Sequence, residues 1–538
     1  MVRAEIIEIS HLEIRRHNFK TVYELLVSYP SLTGYSYGQT GQPVNFYQSG
    51  KPAAIARVYL DSLLLNDAHS AIYDLSDISI EKLEKIIINT NSAETAGLRI
   101  DLISDRARPG KEHESRVFYN DAYFNHRDLA FTVKQNFTAE TDFRIFAQIT
   151  DYMDNREYAD QDFLAPYEKQ DYTATLRLPD FWLQKPLMEG GFFRKKFSDF
   201  SLDSLRQTEE RYFLRLQSSL PITITGLYHS LSAAWQKNVN STLGLRNCDR
   251  YSADLSLNWQ ISDFNLNSIS NYQMLDFYQQ IQQTIFSENL NFNWHYDSLI
   301  TIRNENWLSL QDNQTHITGN SAGLELNLPM GISLAGNSTY RKTGTSENTL
   351  INDAENLSSE LTLSHRKNLA SAQYLAKIAF SSFENLQNSS QKAIYGCTAA
   401  ITAGWLETID FNLRYFTSLD RDPDLPGTDY TLNSEIGYHQ QFYNGQLTIN
   451  ILAGHRYTRY FPGYSDNRVA YANNLSFKTS AKILNCEIFF GMENLLKKVY
   501  TFEGNDIEVN PHYFYQTVPG YDMPHKDEIW GIRWTFYN

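Results

Sequence analysis

The nine residues Trp530-Gly531-Ile532-Arg533-Trp534-Thr535-Phe536-Tyr537-Asn538 constrain this chain more than any other stretch. Side chains of an extended strand alternate between faces. Trp530, Ile532, Trp534 and Phe536 therefore share one side, and Gly531, Arg533, Thr535 and Tyr537 share the other. Two Trp and a Phe along one face are costly to leave in water. They suit the closing strand of a membrane barrel, which presents an aromatic and aliphatic band to lipid.

The same period of two recurs from about residue 116 onward. Tyr251, Ala253, Leu255, Leu257 and Trp259 alternate with Ser252, Asp254, Ser256, Asn258 and Gln260. Leu290, Phe292, Trp294 and Tyr296 alternate with Asn and His, and Leu447, Ile449, Ile451 and Ala453 with Gln, Thr and Asn. Each segment predicts a strand with one apolar and one wet face. Many such strands in water would leave apolar faces and free edges, and closure in lipid removes both. The expected fold is an all-β transmembrane antiparallel barrel of about 22 strands, occupying 109–538.

Composition agrees. The mean hydropathy of −0.45 is low for a bundle of membrane helices. No apolar run reaches the roughly 20 residues that a spanning helix needs. A barrel strand turns only every second residue to lipid, so low hydropathy is compatible with it. The 35 Tyr and 31 Phe suit the water–lipid boundary. A net charge of −15 argues against nucleic acid, which selects basic patches. Cys248, Cys397 and Cys486 are distant in sequence and read as small buried residues.

Residues 1–108 lack the barrel period. Val22–Val27 predicts a short helix, Arg57–Asp61 and Gly97–Leu102 short strands, and Ile80–Ile88 a change from helical to strand pattern. This predicts a small α+β domain, with its boundary near Arg106–Gly110. Three long loops are expected: Asp151–Gln170, Pro179–Gln207 with its Gly190-Gly191 pair, and Glu503–Lys526. Met1–Ser10 has neither the basic start nor the apolar core of a secretion signal. An outer-membrane location requires export, so either the chain as given begins after cleavage or the location is a different one.

Several motifs resemble those of the TonB-dependent outer-membrane receptors, in which a plug domain sits inside a barrel of 22 strands. Gly491-Met492-Glu493-Asn494-Leu495-Leu496-Lys497-Lys498-Val499-Tyr500 resembles the family turn before the last two strands, with Gly491, Asn494, Leu495, Lys498 and Tyr500 as its key positions. Asp420–Pro426 resembles an acidic, Pro-ended periplasmic turn. The order Val22–Leu26, Val58–Asp61, Leu75–Ile88 follows the family's plug. The plug departs from the pattern at four places. Tyr47-Gln48-Ser49-Gly50 lacks the family's Arg, Ser62 replaces a Gly, Ile88-Asn89-Thr90 replaces Arg-Gly-Pro, and a Gly-rich stretch shrinks to Ala96-Gly97.

The resemblance implies a receptor, not an enzyme, in the outer membrane of a Gram-negative bacterium. It would bind a scarce nutrient (a siderophore, cobalamin or similar) at its outer loops and transport it inward. The plug departures favour an alternative: a degenerate receptor acting as a passive channel, a surface binder or an assembly component. The implied partners are outer-membrane lipid and lipopolysaccharide, the barrel-assembly machinery, TonB and a small-molecule ligand, with the receptor itself a monomer. Coupling to TonB works by strand addition, for which Glu5-Ile6-Ile7-Glu8-Ile9-Ser10 is the candidate segment. Trp530, Ile532, Trp534 and Phe536 form the expected barrel-insertion signal. Candidate ligand contacts are the loop aromatics Trp182, Phe192, Tyr513, Phe514, Tyr515 and Tyr521.

No metal site is expected from the 13 scattered His, which have no zinc-site spacing. No cofactor is expected either, apart from calcium as a minor candidate in the acidic stretch 151–162 (Asp151, Asp154, Glu157, Asp160, Asp162). There is no phosphate loop, nucleophile elbow or Cys/His catalytic arrangement.

Overall fold

The computed structural model describes residues 6–16, 21–29, 32–36, 44–48, 56–68, 72–94, 97–106, 113–122, 126–138, 141–154, 157–158, 161–162, 165–179, 184–199, 205–219, 227–240, 247–277, 281–297, 299–311, 315–345, 354–368, 372–385, 394–406, 408–420, 427–461, 470–495, 499–500, 506–507, 516–518, 521–522 and 527–537. Twenty-two antiparallel strands close into one barrel. The first, His113–Ala122, pairs with the last, Asp527–Tyr537, with Trp534 opposite Val117. Closure leaves no edge strand, so every spanning backbone group can pair within the ladder.

Alternation is inverted relative to a soluble sheet. Along Leu205–Ser219, Leu214 is 54% exposed and its neighbour Arg215 is 3% exposed. On the closing strand Trp530, Trp534 and Phe536 point outward, whereas Ile529, Gly531 and Arg533 are buried. The polar wall faces the lumen and the apolar band faces lipid. Among the described residues no helix is long and apolar enough to cross a membrane.

Tight turns mark one rim. Ser262, Asp297, Leu406 and Leu484 take positive φ in hairpins on that rim, and so do Met330-Gly331 and Tyr443-Asn444-Gly445. The chain enters the barrel at His113 and leaves it at Tyr537 on this side. Short turns are periplasmic in such barrels, so the longer connections face outward.

Two expected loops are largely strand. Pro179–Gln207 contains Gln184–Asp199 and the start of Leu205–Ser219. The Gly190-Gly191 pair, expected within a loop, serves packing in a strand, because a Cβ on Gly191 would meet the Phe213 ring on the neighbouring strand. Asp151–Gln170 is taken up by the ends of Asp142–Asp154 and Ala165–Arg177, with the small hairpin Glu157–Tyr158/Gln161–Asp162 between. Asp420 and Gly427 end their strands at the outer rim, not the periplasmic one, because the tight turn at Tyr443–Gly445 closes the opposite end of Gly427–Phe442. The Gly491 motif leads out of the penultimate strand, Cys486–Glu493, and so precedes one barrel strand and not two. There Asn494 takes φ 55° and its N–H donates to Asn474 Oδ1 at 2.9 Å.

The plug is a five-stranded sheet in the spatial order Ile6–Ser10, Leu83–Ser92, Gly97–Ser104, Arg57–Leu60, Leu63–Leu64. Its helix Val22–Leu26 starts at Thr21, whose hydroxyl accepts the Glu24 N–H, and buries Val22, Leu25 and Leu26. The core of this domain is its own: Ile9, Leu25, Leu83, Ile86, Ile88 and Ile100 are fully buried in a cluster drawn only from residues 9–102. Ser62, where the family has Gly, takes φ 74° in the turn between Arg57–Leu60 and Leu63–Leu64. Left-handed backbone costs a non-glycine residue about 1–2 kcal/mol, partly offset by the greater freedom of glycine in the unfolded chain. Ser62→Gly should therefore raise stability by about 0.5–1 kcal/mol, read as a higher urea midpoint of the refolded protein.

Candidate functional site

The functional geometry lies where the plug meets the lumen wall. That interface is polar and strongly charged. The segment from Asp74 to Glu81 carries its acids on two short 3-10 turns, each opened by a side-chain cap: Asp74 accepts from Ser76 N–H, and Ser79 from Glu81 N–H. These caps aim the acids at the barrel. Asp77 meets Lys195 at 3.0 Å and Arg211 at 2.5 Å, and Asp74 meets Lys195 at 3.3 Å. The Arg211 guanidinium also lies over the rings of Tyr73 and Phe193, 4.8 and 4.6 Å from their centroids.

Glu81 sits at the centre of a second cluster. It pairs with Arg15 of the plug helix His11–Arg16 and, at 2.7 Å, with Arg533 of the closing strand. Arg533 in turn pairs with Glu487. Burial opposes ionisation of Glu81, but Arg15 and Arg533 outweigh it and hold the carboxyl down at about 2. Beside it Lys82 reaches Asp171 at 3.1 Å, and Arg144 donates to the Lys82 carbonyl. A third cluster ties the end of the plug to the first barrel strands: Asp105 meets Arg116 at 3.0 Å and Lys134 at 2.7 Å. Burial works against the Asp105 charge, yet those two cations hold its carboxyl well below the usual range.

The far wall completes the ring. Arg250 donates to the Leu64 and Asn66 carbonyls, Asn433 to Ser28, and the Ala93 N–H to Glu305. Arg16 pairs with Asp410. Gly319 allows the closest approach, because any Cβ there would press on the Ala93 carbonyl. The ion pairs run in both directions: Asp77 and Glu81 of the plug meet bases of the barrel, and Lys82 and Arg16 of the plug meet acids of the barrel. Sequence reading missed these pairs, since each partner alone looks like an ordinary lumen or surface charge.

Ile6–Ser10 is the edge strand of the plug sheet, paired with Leu83–Ser92 so that Ile7 faces Ile88 and Ile9 faces Ile86. Glu5 lies outside the described residues, as do Trp182, Lys498, Tyr513, Phe514 and Tyr515 and the side chains of Tyr500 and Tyr521. Phe192 is not a loop residue. It sits on the outward face in a row with Tyr172 and Tyr212, ring centroids 6.2 and 5.1 Å away, at a boundary suited to aromatic girdles. Most side chains of the acidic stretch 151–162 lie outside the described residues, and among those described no group of His, Cys, Asp and Glu could hold a metal ion.

An inward-facing cluster near the outer rim was not foreseen. His126 pairs with Asp128 at 2.9 Å and packs edge-on against Tyr152, while Tyr152, Tyr167 and Phe197 form a buried aromatic group. Its only sequence signal is polar and aromatic residues on the wet side of the alternation.

No protein-family model matches the sequence, and no curated protein matches it. Solved structures do. The siderophore receptor PirA from Acinetobacter baumannii superposes with a TM-score of 0.77 at 10% identity, over 99% of this chain and 98% of that one. The ferric enterobactin receptor PfeA from Pseudomonas aeruginosa, in complex with enterobactin, gives 0.76 at 12% identity over 100% of both chains. The FrpB iron transporter from Neisseria meningitidis gives 0.73 at 11% identity over 99% of both. At such identities the likeness is one of fold, and it spans barrel and plug together. In fold, a small domain within a closed 22-stranded barrel, the chain is similar to these siderophore and iron receptors.

Proposed function

We propose that this protein is an outer-membrane receptor that admits a scarce nutrient, such as a ferric siderophore or cobalamin, through release of its plug. The observation that carries this reading is the separation of cores. The plug packs its apolar residues among themselves and holds the barrel through ion pairs and hydrogen bonds. A body held this way can shift or leave without exposing an oily surface, because water replaces the polar contacts. The neighbours in fold include receptors named for siderophores and an iron transporter, which favours an iron chelate as the cargo.

TonB coupling through Ile6–Ser10 would need either addition to the open edge of that strand or its release from Leu83–Ser92. The alternative, a degenerate receptor without driven transport, rests on the plug motifs that are missing. Uptake of radio-iron ferric chelates and of labelled cobalamin by cells with and without the chain separates the two, measured with and without a proton-motive-force uncoupler. Driven transport predicts saturable uptake that requires the chain and falls to background with the uncoupler. Flux that ignores the uncoupler would establish the channel reading, and no chain-dependent uptake would refute transport of these cargoes.

A further inference from the structure

The outward face is not apolar everywhere. On the strands from Phe264–Phe277 to Ala354–Asn368, the alternation turns a row of polar side chains toward lipid. Glu288 is its clearest member. It shares parity with Phe286 and Leu290, which are 41% and 39% exposed, while the intervening Asn289 is 7% exposed and bonds to the lumen residue Glu305. Glu288 lies in the middle of Ile281–Tyr296, eight residues from the turn end and seven from the other. It accepts hydrogen bonds from Ser268 (2.5 Å) and Ser270 on the adjacent strand. Next along the face, Asn320 donates to Asn306 at 2.6 Å, and Asn306 donates to Asn304. Beyond them the Ser338 and Ser359 hydroxyls meet at 3.2 Å.

Hydrocarbon offers such groups nothing, so an ionisable residue facing it marks a contact with something else. We propose that this flank is the interface of a homodimer, formed with a second copy of this chain about a two-fold axis along the membrane normal. The arrangement of donors and acceptors carries the choice of occupant. Such an axis through Asn306 and Asn320 sets the amide pair against itself, and a primary amide both donates and accepts. The same rotation brings Glu288, which when ionised only accepts, against the Ser338 and Ser359 hydroxyls of the second copy. No like charges oppose each other. Six of the 22 strands curve through more than a quarter of the barrel, so the two copies meet along a strip centred on Asn306 and Asn320, with Glu288 and Ser338 at its sides. The proposal is independent of the cargo and departs from the monomer that the family resemblance implies.

The test is cross-linking in intact outer membranes. All three native cysteines are first replaced by Ser, because Cys397 faces outward opposite Phe380. Asn306→Cys with a short bifunctional thiol reagent should give a product of twice the monomer mass, whereas Ile488→Cys on the opposite flank should not. The triple variant Glu288→Leu/Asn306→Leu/Asn320→Leu should still fold, shown by its heat-modifiable gel mobility. Its mass in lipid nanodiscs should fall from dimer to monomer. A wild-type monomer in nanodiscs, an Asn306→Cys yield no higher than that of Ile488→Cys, or a product joined to a different protein would each overturn the homodimer.

Discussion

Glu81→Gln should loosen the plug more than any other single change. The substitution keeps the shape and removes the charge, leaving Arg15 and Arg533 buried beside a neutral amide. Breaking a buried pair from one side costs about 3–5 kcal/mol, because a charge is stranded. The pH dependence gives a comparable figure. Lowering the carboxyl from 4.5 to about 2 contributes about 3 kcal/mol against its burial, shared between Arg15 within the plug and Arg533 on the barrel. The sign follows from the depressed value: this contribution is complete above about 4.5 and is lost as pH falls toward about 2. In planar bilayers the wild-type pore should stay shut at neutral pH, while the Glu81→Gln pore should conduct at lower urea. The double change Glu81→Gln/Arg533→Gln should cost less than the sum of its parts, because it removes both members of the pair. Purely additive costs would show that Glu81 and Arg533 do not act on each other.

Leu214→Arg should be the second largest effect, and it tests the membrane itself. Leu214 is 54% exposed, and in water a substitution at such a site stays within about 0.5 kcal/mol. At the centre of a lipid-facing band a cation costs about 2–4 kcal/mol. Unfolding in urea from lipid vesicles should show the larger loss. Ser256→Arg, which faces the lumen, should be tolerated. If Leu214→Arg behaves like Ser256→Arg, the exposed apolar band does not touch hydrocarbon.

Much of the architecture is legible in the sequence. The strands at Tyr251–Trp259, Leu290–Tyr296 and Leu447–Ala453 follow from alternation alone, because a period of two is a property of neighbouring residues. The helix Val22–Leu26 was equally local, with Thr21 and Glu24 at its start. The misreadings were also local. Gly190-Gly191 reads as part of a loop, since nothing nearby in sequence says that the Phe213 ring occupies the missing side-chain volume. Asp420–Pro426 reads as a periplasmic turn, but the strand ends Asp420 and Gly427 lie at the outer rim, because a rim follows from counting strands from the closure point.

The residues alone determined that this chain makes a closed barrel with a wet interior and a separate small domain, since each strand carries its own pattern of polar and apolar faces. Only the tertiary structure decided which charges hold the plug. Glu81 and Arg533 lie 452 positions apart, and no local pattern links them. The same holds for the outward row from Ser268 to Ser359. Each strand contributes one or two polar residues that look incidental, and the register of the closed sheet sets them side by side.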